Sequence, residues 1–187
     1  MADQKISAMP SAATLTGAEL VPLVQSGANV QTTINSLSSF TQSTYLGYGD
    51  IYVASGSTSQ TTSGTANTYT TLTCFTTDGP DNGSVTTDAA NDRLTLATGI
   101  YQVTFNATFT ATNNHTFLFR CFNSTTATAF ANTVGKNHTQ STDAHQVGFS
   151  GLISVTGTTN IVVQVASTDT SQPLTISEAN FIAVRVG

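Results

Sequence analysis

The chain has 187 residues, and only 8% of them are charged, with 5 Lys and Arg against 10 Asp and Glu and a formal net charge of −5. Its length suits one sandwich-sized domain with a short appendage. The few scattered cations exclude a basic surface for nucleic acid or for an anionic membrane, and no stretch approaches the roughly 20 apolar residues of a membrane-spanning helix. Because no signal-peptide pattern opens the chain, we expect a soluble protein made in a cytosol.

Residues 1–46 form the first predicted region, an N-terminal segment ahead of the β-rich part of the chain. The β-prone runs LVPLV and VQTTI flank the turn sequence SGAN, and this predicts a hairpin over residues 20–34 with a four-residue connection. The apolar spacing that follows favours a short helix from about residue 34 to 44. A hairpin and one helix are too small to be stable alone, so we expect this segment to pack against a partner.

The interval 47–68 is predicted to hold a first strand, IYVA at 51–54, and a linker, because the run ASGSTSQTTSGTAN is rich in Gly, Ser and Thr. The remaining residues, 69–187, carry β-prone runs at spacings of about eight to twelve residues, which predicts an all-β sandwich of nine or ten strands. The segments TDGPDNGS and TDTSQP are predicted to be turns, and TDTSQP precedes a predicted strand that contains Leu174 and Ile176. The later runs include residues 69–75, 93–97, 116–122, 126–134, 144–155, 160–166 and 179–186.

The strictest alternation lies in YQVTFNATF, residues 101–109, where apolar and polar residues alternate at every position. Period two predicts a strand with one buried face and one wet face. The runs TFLFRCF and ANFIAVRV instead have apolar side chains on both faces, which need a second burial, most simply in a subunit interface. We therefore predict that the following side chains fill the core or a subunit interface: Tyr101, Val103, Phe105, Phe117, Phe119, Phe122, Phe181 and Val184.

Gly99, Tyr101, Val103 and Phe105 match a Gly-x-Tyr-x-(apolar)-x-Phe strand, and through it residues 69–187 resemble the C1q/TNF-like jelly roll. The paired runs of GFSGLISVTGTTNIVVQVAS, joined by a Gly turn, and the closing run ANFIAVRV extend the resemblance. It implies a ten-strand jelly-roll β-sandwich that assembles as a homotrimer around an axis lined by apolar and aromatic side chains. The predicted subunit interface then becomes a trimer interface.

The opening segment KISAMPSAATLTGAELVPLVQSGANVQTTINSL resembles a different motif, found at the N-termini of structural proteins of tailed bacteriophages. In that motif a run of small residues leads to a hairpin with a Gly turn and then a short helix. The match is carried by Glu19, Leu20, Pro22, Leu23, Val24, Gln25 and Gly27. The motif implies docking onto a virion, which we assign to Leu20, Val21, Pro22, Leu23, Val24, Gly27, Val30, Ile34 and Leu37.

The two resemblances together imply a trimeric capsid decoration or cement protein, of the head-fibre kind, assembled in the bacterial host cytoplasm and displayed on the virion surface. Its partners are other copies of itself and the major capsid protein or another virion protein. The alternative is a short tail-fibre receptor-binding protein whose jelly roll recognises a host surface glycan. The sequence contains no visible β-helical or coiled-coil shaft, which favours decoration.

No enzymatic activity is expected, because the chain lacks a G-x-S-x-G elbow, an H-E-x-x-H pair and a Gly-rich phosphate loop. His115, His138 and His145, with Asp143, are the cluster closest to a metal site, but their spacing matches no zinc signature. We therefore expect no metal and no cofactor.

Oxygen ligands for calcium are an alternative for the segment that holds Asp78, Asp81 and Asn82. Asp and Asn are also the residues that tight turns favour, and a turn is the preferred interpretation.

Cys74 and Cys121 are expected to be reduced thiols in the core, with a disulfide between them as the alternative. Arg120 and Arg185 lie on apolar strands, where an unpaired guanidinium would be costly. We expect them to pair with Glu178 or with a neighbouring subunit.

Overall fold

The computed structural model describes residues 16, 18, 20–26, 28–37 and 47–187. The chain divides into two compact units, Met1–Gln42 and Ser43–Gly187. Within the described residues, the structure contains no helix with the length and apolar character that crossing a membrane requires.

The described part of the first unit is a two-stranded hairpin, which confirms the predicted hairpin. Strand β1 (Leu20–Gln25) pairs antiparallel with β2 (Ala28–Thr33). Gln25 pairs directly with Ala28, so the connection has two residues rather than the predicted four. Ser26, the first residue of this connection, has a φ of 51°, which is the left-handed conformation that two-residue hairpin connections require.

A helical turn at residues 34–37 follows the hairpin, and the Thr33 hydroxyl caps it by accepting a hydrogen bond from the Ser36 backbone N–H at 3.1 Å. The rest of the predicted helix, to residue 44, lies outside the described residues, as do Glu19 and Gly27. For four predicted docking residues, only the backbone is described: Pro22, Leu23, Val24 and Val30.

The second unit is a sandwich of two six-stranded antiparallel sheets. Sheet I contains β5 (Thr70–Thr71), β7 (Val85–Asp88), β8 (Arg93–Leu96), β10 (Thr116–Asn123), β11 (Thr128–His138) and β13 (Thr159–Ser167). Sheet II contains β3 (Tyr48–Tyr52), β4 (Thr58–Thr61), β6 (Thr77–Asn82), β9 (Gly99–Ala111), β12 (His145–Val155) and β14 (Pro173–Arg185). The order in sheet I is β11-β10-β13-β8-β7, with β5 beside β13, and in sheet II it is β12-β9-β14-β3-β6, with β4 beside β14.

The core lies between the two sheets and is built on the predicted alternation. The odd-numbered side chains of β9 from Tyr101 to Phe109 face inward, and the even-numbered ones face solvent. Phe105 stacks on Phe119 of the opposite sheet, with ring centroids 5.8 Å apart, and Phe109 meets Phe117 edge to face at 5.5 Å. Such aromatic pairs add about 1 kcal/mol each to the stabilisation from burial alone.

Two predicted non-strand segments turn out to be strands. TDGPDN was predicted as a turn, but it forms the edge strand β6, where Pro80 is tolerated because its missing N–H costs no ladder hydrogen bond. The predicted linker also contains β4, which pairs with the start of β14. Conversely, the predicted strand at 69–75 pairs only at Thr70–Thr71.

Strand β14 is one continuous strand, although its sequence was divided between a predicted strand at Leu174 and Ile176 and a closing strand from residue 179. A β-bulge between Ile176 and Glu178 shifts the register by one residue. The bulge conceals the continuity, because it interrupts the alternation of apolar and polar residues.

The two sheets meet along the margin formed by β11 and β12. The side-chain amides of Asn132 and Asn137 donate hydrogen bonds to the carbonyl oxygens of Leu152 and Gln146, at 2.6 and 2.9 Å. The backbones approach closely there, since a Cβ at Gly135 would lie 2.6 Å from the carbonyl oxygen of a neighbouring glycine, residue 148. These contacts close one side of the sandwich.

Carboxylates close the opposite margin, between β6 and the chain around β7. Asp78 accepts a hydrogen bond from the Ala89 backbone N–H at 2.6 Å, and Asp81 accepts one from the Thr87 backbone N–H at 3.1 Å. The two carboxylates considered as calcium ligands therefore hold β6 to β7 and to the residue that follows it.

Candidate functional site

The outward face of sheet II is the strongest candidate for a functional surface, because large apolar side chains are exposed on it. One row across the sheet contains Leu152, Gln102, Val184 and Tyr48, which are cross-strand neighbours. We call this part of the face the apolar end. Its exposed side chains are Tyr48 (42% exposed), Ile100 (44%), Leu152 (57%), Val184 (42%) and Val186 (54%).

The same face becomes polar toward the other end of the strands. A row of cross-strand neighbours crosses four strands there and consists of Gly148, Asn106, Asn180 and Tyr52. It forms the floor of a groove of about 850 Å³, which we call the polar groove. A Cβ at Gly148 would lie 2.6 Å from the amide oxygen of Asn106, so the missing side chain helps to make the surface concave.

Two carboxylates line the polar groove. Asp50 accepts a hydrogen bond from the Asn180 amide at 3.3 Å, and its carboxylate lies in the space that a Cβ at Gly79 would occupy. Burial raises the pKa of Asp50, because the ionised form loses hydration. Glu178 accepts a hydrogen bond from the Thr108 hydroxyl at 3.2 Å and directly follows the bulge of β14. Bulges commonly redirect side chains at functional surfaces.

Arg120 lies on the outward face of sheet I, where its guanidinium donates two hydrogen bonds to the Gln164 side-chain oxygen, at 3.0 and 2.8 Å. It also stacks on the Tyr69 ring, 3.7 Å from the centroid. Arg185 donates to the carbonyl oxygen of residue 187. The predicted pairing of these arginines with Glu178 is therefore wrong within one chain, and pairing with a neighbouring subunit stays a prediction.

The side chains predicted to fill the core or the trimer interface lie in three places. Phe122 is half-buried on the outward face of sheet I, and Val184 is exposed at the apolar end of sheet II. The other six are wholly buried between the sheets: Tyr101, Val103, Phe105, Phe117, Phe119 and Phe181.

Four of the predicted docking side chains are described in the first unit. Leu20 and Leu37 are exposed, at 61% and 43%, whereas Val21 and Ile34 are half-buried. A docking role for this set stays a prediction.

The three histidines have separate partners. The His115 Nδ1 atom lies 2.8 Å from a carboxylate oxygen of Asp169. His138 contacts the Thr116 hydroxyl, and His145 contacts the carbonyl oxygen of residue 141. Among the described residues, no three His, Cys, Asp or Glu side chains are grouped as metal ligands.

Cys74 and Cys121 are free and buried, as expected, so the disulfide alternative is wrong. Burial raises the pKa of Cys74 to about 12, with the Asp92 carboxylate adding to the shift, and it raises the pKa of Cys121 as well. Both thiols are therefore held in the neutral form and serve as small apolar core residues.

Sequence reasoning missed most of the apolar end. Ile100 and Leu152 occupy outward positions of strands whose alternation is otherwise regular, and this parity was the available signal. Tyr48 lies before the predicted first strand, so no predicted face included it.

Solved structures with a similar fold cover about three quarters of this chain. The globular domain of zebrafish complement 1qA matches with a TM-score of 0.51 and 10% identity, over 75% of this chain and 98% of that one. Eiger TNF from S. frugiperda matches with a TM-score of 0.55 and 9% identity, over 76% and 94%. Murine APRIL matches with a TM-score of 0.54 and 12% identity, over 75% and 99%. The second unit has the C1q/TNF-like jelly-roll fold.

These identities establish the fold alone, and the jelly roll therefore confirms the architecture that the Gly-x-Tyr pattern implied. No protein-family model matches the sequence, and no curated protein matches it. The function must be argued from the surface of the jelly roll and from the first unit.

Proposed function

We propose that this chain is a structural protein of a tailed-phage virion, which forms a homotrimer through its jelly roll and docks onto the capsid through its first unit. The observation that carries self-association is the apolar end of sheet II, where five large apolar side chains remain about half exposed. Completing the burial of each would contribute about 1 kcal/mol. Contiguous exposed apolar surface of this kind is typical of a protein interface.

The resemblance to C1q/TNF domains supports three copies around one axis. A trimer of this kind uses a heterologous contact, in which one patch meets a different patch of the next subunit and the ring closes after three steps. The apolar end then lies at the subunit contacts, and its work is adhesion rather than catalysis.

The first unit supports the docking half of the proposal. It is a compact unit separate from the jelly roll, and a hairpin of two six-residue strands is marginal in water without a partner. Its exposed Leu20 provides apolar surface for such a partner. The proposed partner is the major capsid protein or another virion protein, which places the trimer on the virion surface after assembly in the host cytoplasm.

The test uses full-length Leu20→Asp and wild-type protein, mixed with phage particles that lack this protein and then sedimented. Leu20 is already exposed, so the substitution should leave the trimer intact but reduce particle binding about tenfold or more, because a carboxylate would have to be desolvated at the contact. Thr126→Asp, on an exposed loop of the jelly roll, is the charge-matched control. Undiminished binding of the Leu20→Asp trimer would count against docking through this unit.

The polar groove favours one alternative, a short tail-fibre protein that binds a host glycan. Side-chain amides, two carboxylates and Tyr52 offer the donors, acceptors and aromatic surface that a sugar requires. A glycan array probed with the wild-type protein tests this alternative. Binding that disappears on Asn106→Ala would support it, and an array without specific binding would reject it.

A further inference from the structure

We infer that Lys136 of one protomer enters the polar groove of the next protomer and pairs there with Glu178, so that each groove is completed by a second copy of this chain. The inference rests on the trimer proposed above. It assigns the groove to a subunit contact that fixes the register of the ring.

Among the residues that the structure describes, the Lys136 side chain has no partner in its own protomer. Among the described residues, Arg93 pairs with Asp88 at 2.8 Å, and Arg120 and Arg185 donate the hydrogen bonds given above. Lys136 is exposed on β11, and its ammonium group makes no hydrogen bond or ion pair with any residue that the structure describes. Its ammonium group is therefore available for an acidic surface.

The groove supplies the complementary charge. Asp50 and Glu178 both line it, and within the described part of the chain neither forms an ion pair. The side-chain amides of Asn106, Asn180 and Gln146 also line the groove, and their oxygen atoms can accept further hydrogen bonds from an ammonium group. An acidic groove of this composition favours a cationic occupant over an anionic or an apolar one.

The height of Lys136 along the strands matches the height of the groove. Asn137 donates a hydrogen bond to the Gln146 carbonyl oxygen, and Gly135 faces Gly148, so the lysine between them is level with these two residues of β12. Both residues line the groove.

Glu178 lies at the same level, because it pairs with Thr108, which in turn pairs with Gln146. A rotation about an axis that runs along the strands leaves every height unchanged, so only residues at equal heights can meet around the ring. Lys136 and Glu178 satisfy that condition.

Val134 lies two residues before Lys136 and points to the same side of β11, with 52% of its side chain exposed. It is displaced along the strand toward the apolar end, since Asn132 is already level with Leu152. The β11 edge therefore has the same order as the face it would meet, with charge at the groove level and apolar surface nearer the apolar end. This order gives the contact a single register.

Charge reversal tests the pair directly, with sedimentation equilibrium of the full-length protein as the measurement. Lys136→Glu and Glu178→Lys should each weaken the trimer about tenfold or more, because each places like charges together at three contacts. The double variant should restore the wild-type association to within about threefold, because it rebuilds the pair with the charges exchanged. High salt should weaken the wild-type trimer and the double variant alike.

The matched control combines Lys136→Glu with Asp143→Lys, which restores the net charge at an exposed acid outside the groove. It should remain as weak as Lys136→Glu alone. Single variants that associate like the wild type, or a charge-swapped double variant that stays as weak as the singles, would overturn the inference while leaving the trimer in place. A wild-type protein that is monomeric at every concentration would instead overturn the proposed trimer itself.

Discussion

The outward faces of the two sheets differ in how far their apolar side chains are exposed to solvent. On sheet I, Val162 and Ala166 point away from the core, yet only 5% and 0% of their surface is exposed. Phe122 is the cross-strand neighbour of Val162. Arg120, the neighbour of Gln164, lies against the rings of Tyr69 and Phe122. On sheet II, the apolar end has no such cover within the described residues.

The difference shows which face can stay in water and which requires a partner. The Arg120 guanidinium stacks on Tyr69 and donates a hydrogen bond to Gln164, so polar groups form the outer surface of sheet I at this position. Sheet II places Leu152 and Val184 directly in solvent. A chain that covers the central strands of one sheet and leaves the apolar end of the other exposed has a surface suited to self-association rather than a general excess of apolar residues.

The largest expected effect comes from Leu152→Asp, which should abolish self-association. A carboxylate without a partner at each of the three contacts would weaken the trimer about a hundredfold or more, since its desolvation costs about 3 kcal/mol. The folding of the protomer should change by less than about 0.5 kcal/mol, because the side chain is already exposed. Light scattering and urea denaturation measure the two quantities, and a persistent trimer would remove the contrast between the sheets.

Arg120→Ala should have the converse effect on sheet I. It removes two hydrogen bonds and the stacking on Tyr69, and it uncovers Gln164, which is 9% exposed. We expect the free energy of unfolding to fall by about 2 kcal/mol, with self-association unchanged. Arg120→Lys retains the charge without the planar group, and its free energy of unfolding should lie between those of the wild type and Arg120→Ala. Urea denaturation that shows no loss for Arg120→Ala would mean that the cover is not stabilising.

Two tyrosines offer a matched pair for the same comparison. Tyr69→Ala should lower the free energy of unfolding by about 1 to 2 kcal/mol, because its ring covers sheet I. Tyr48→Ala should leave unfolding almost unchanged and weaken the trimer about tenfold, because its ring is exposed at the apolar end. Denaturation should therefore show a loss for Tyr69→Ala only, and sedimentation should show a loss for Tyr48→Ala only. Equal losses for the two variants in either measurement would contradict the difference between the two sheets.

The smallest effect is expected from Asp50→Asn in the polar groove. Burial raises the pKa of Asp50, so the native state binds the proton more tightly than the unfolded chain, and its stability falls as pH rises through the native pKa. The neutral amide avoids this cost and should stabilise the protomer at pH 7 by less than about 1 kcal/mol. The gain should shrink as the pH falls through the native pKa and vanish below the unfolded pKa of 3.8, where the wild-type carboxyl is neutral in both states. Denaturation at pH 7 and at about pH 3 measures it, and a gain that persists at the lower pH would contradict this origin.

Periodicity in the sequence predicted the parts of the fold in which one face of a strand is buried. Tyr101, Val103 and Phe105 alternate with polar residues because one face of β9 packs in the core and the other faces water. This alternation is visible in the sequence alone. The doubly apolar character of TFLFRCF also corresponds to a real second layer, formed by Phe122 with Arg120.

The missed elements lack such a local signal. Strand β6 consists of residues that favour turns, and it is held as a strand by long-range pairing with β3 and by the hydrogen bonds of Asp78 and Asp81. The polar groove depends on Gly148 lying beside Asn106, although the two residues are remote in sequence. Side-chain pairing between strands that are remote in sequence is set by tertiary packing, which one sequence does not display.

The closed margins of the sandwich have a consequence for crowding. Exposed strand edges are templates on which further chains can add, and a particle that carries many copies brings such edges together at high local density. Here Asn132 and Asn137 bind one edge to the other sheet, and Asp78 and Asp81 do the same across the molecule. In the proposed array on a shell, neighbouring jelly rolls would therefore meet through side chains at these two margins rather than through open backbone ladders.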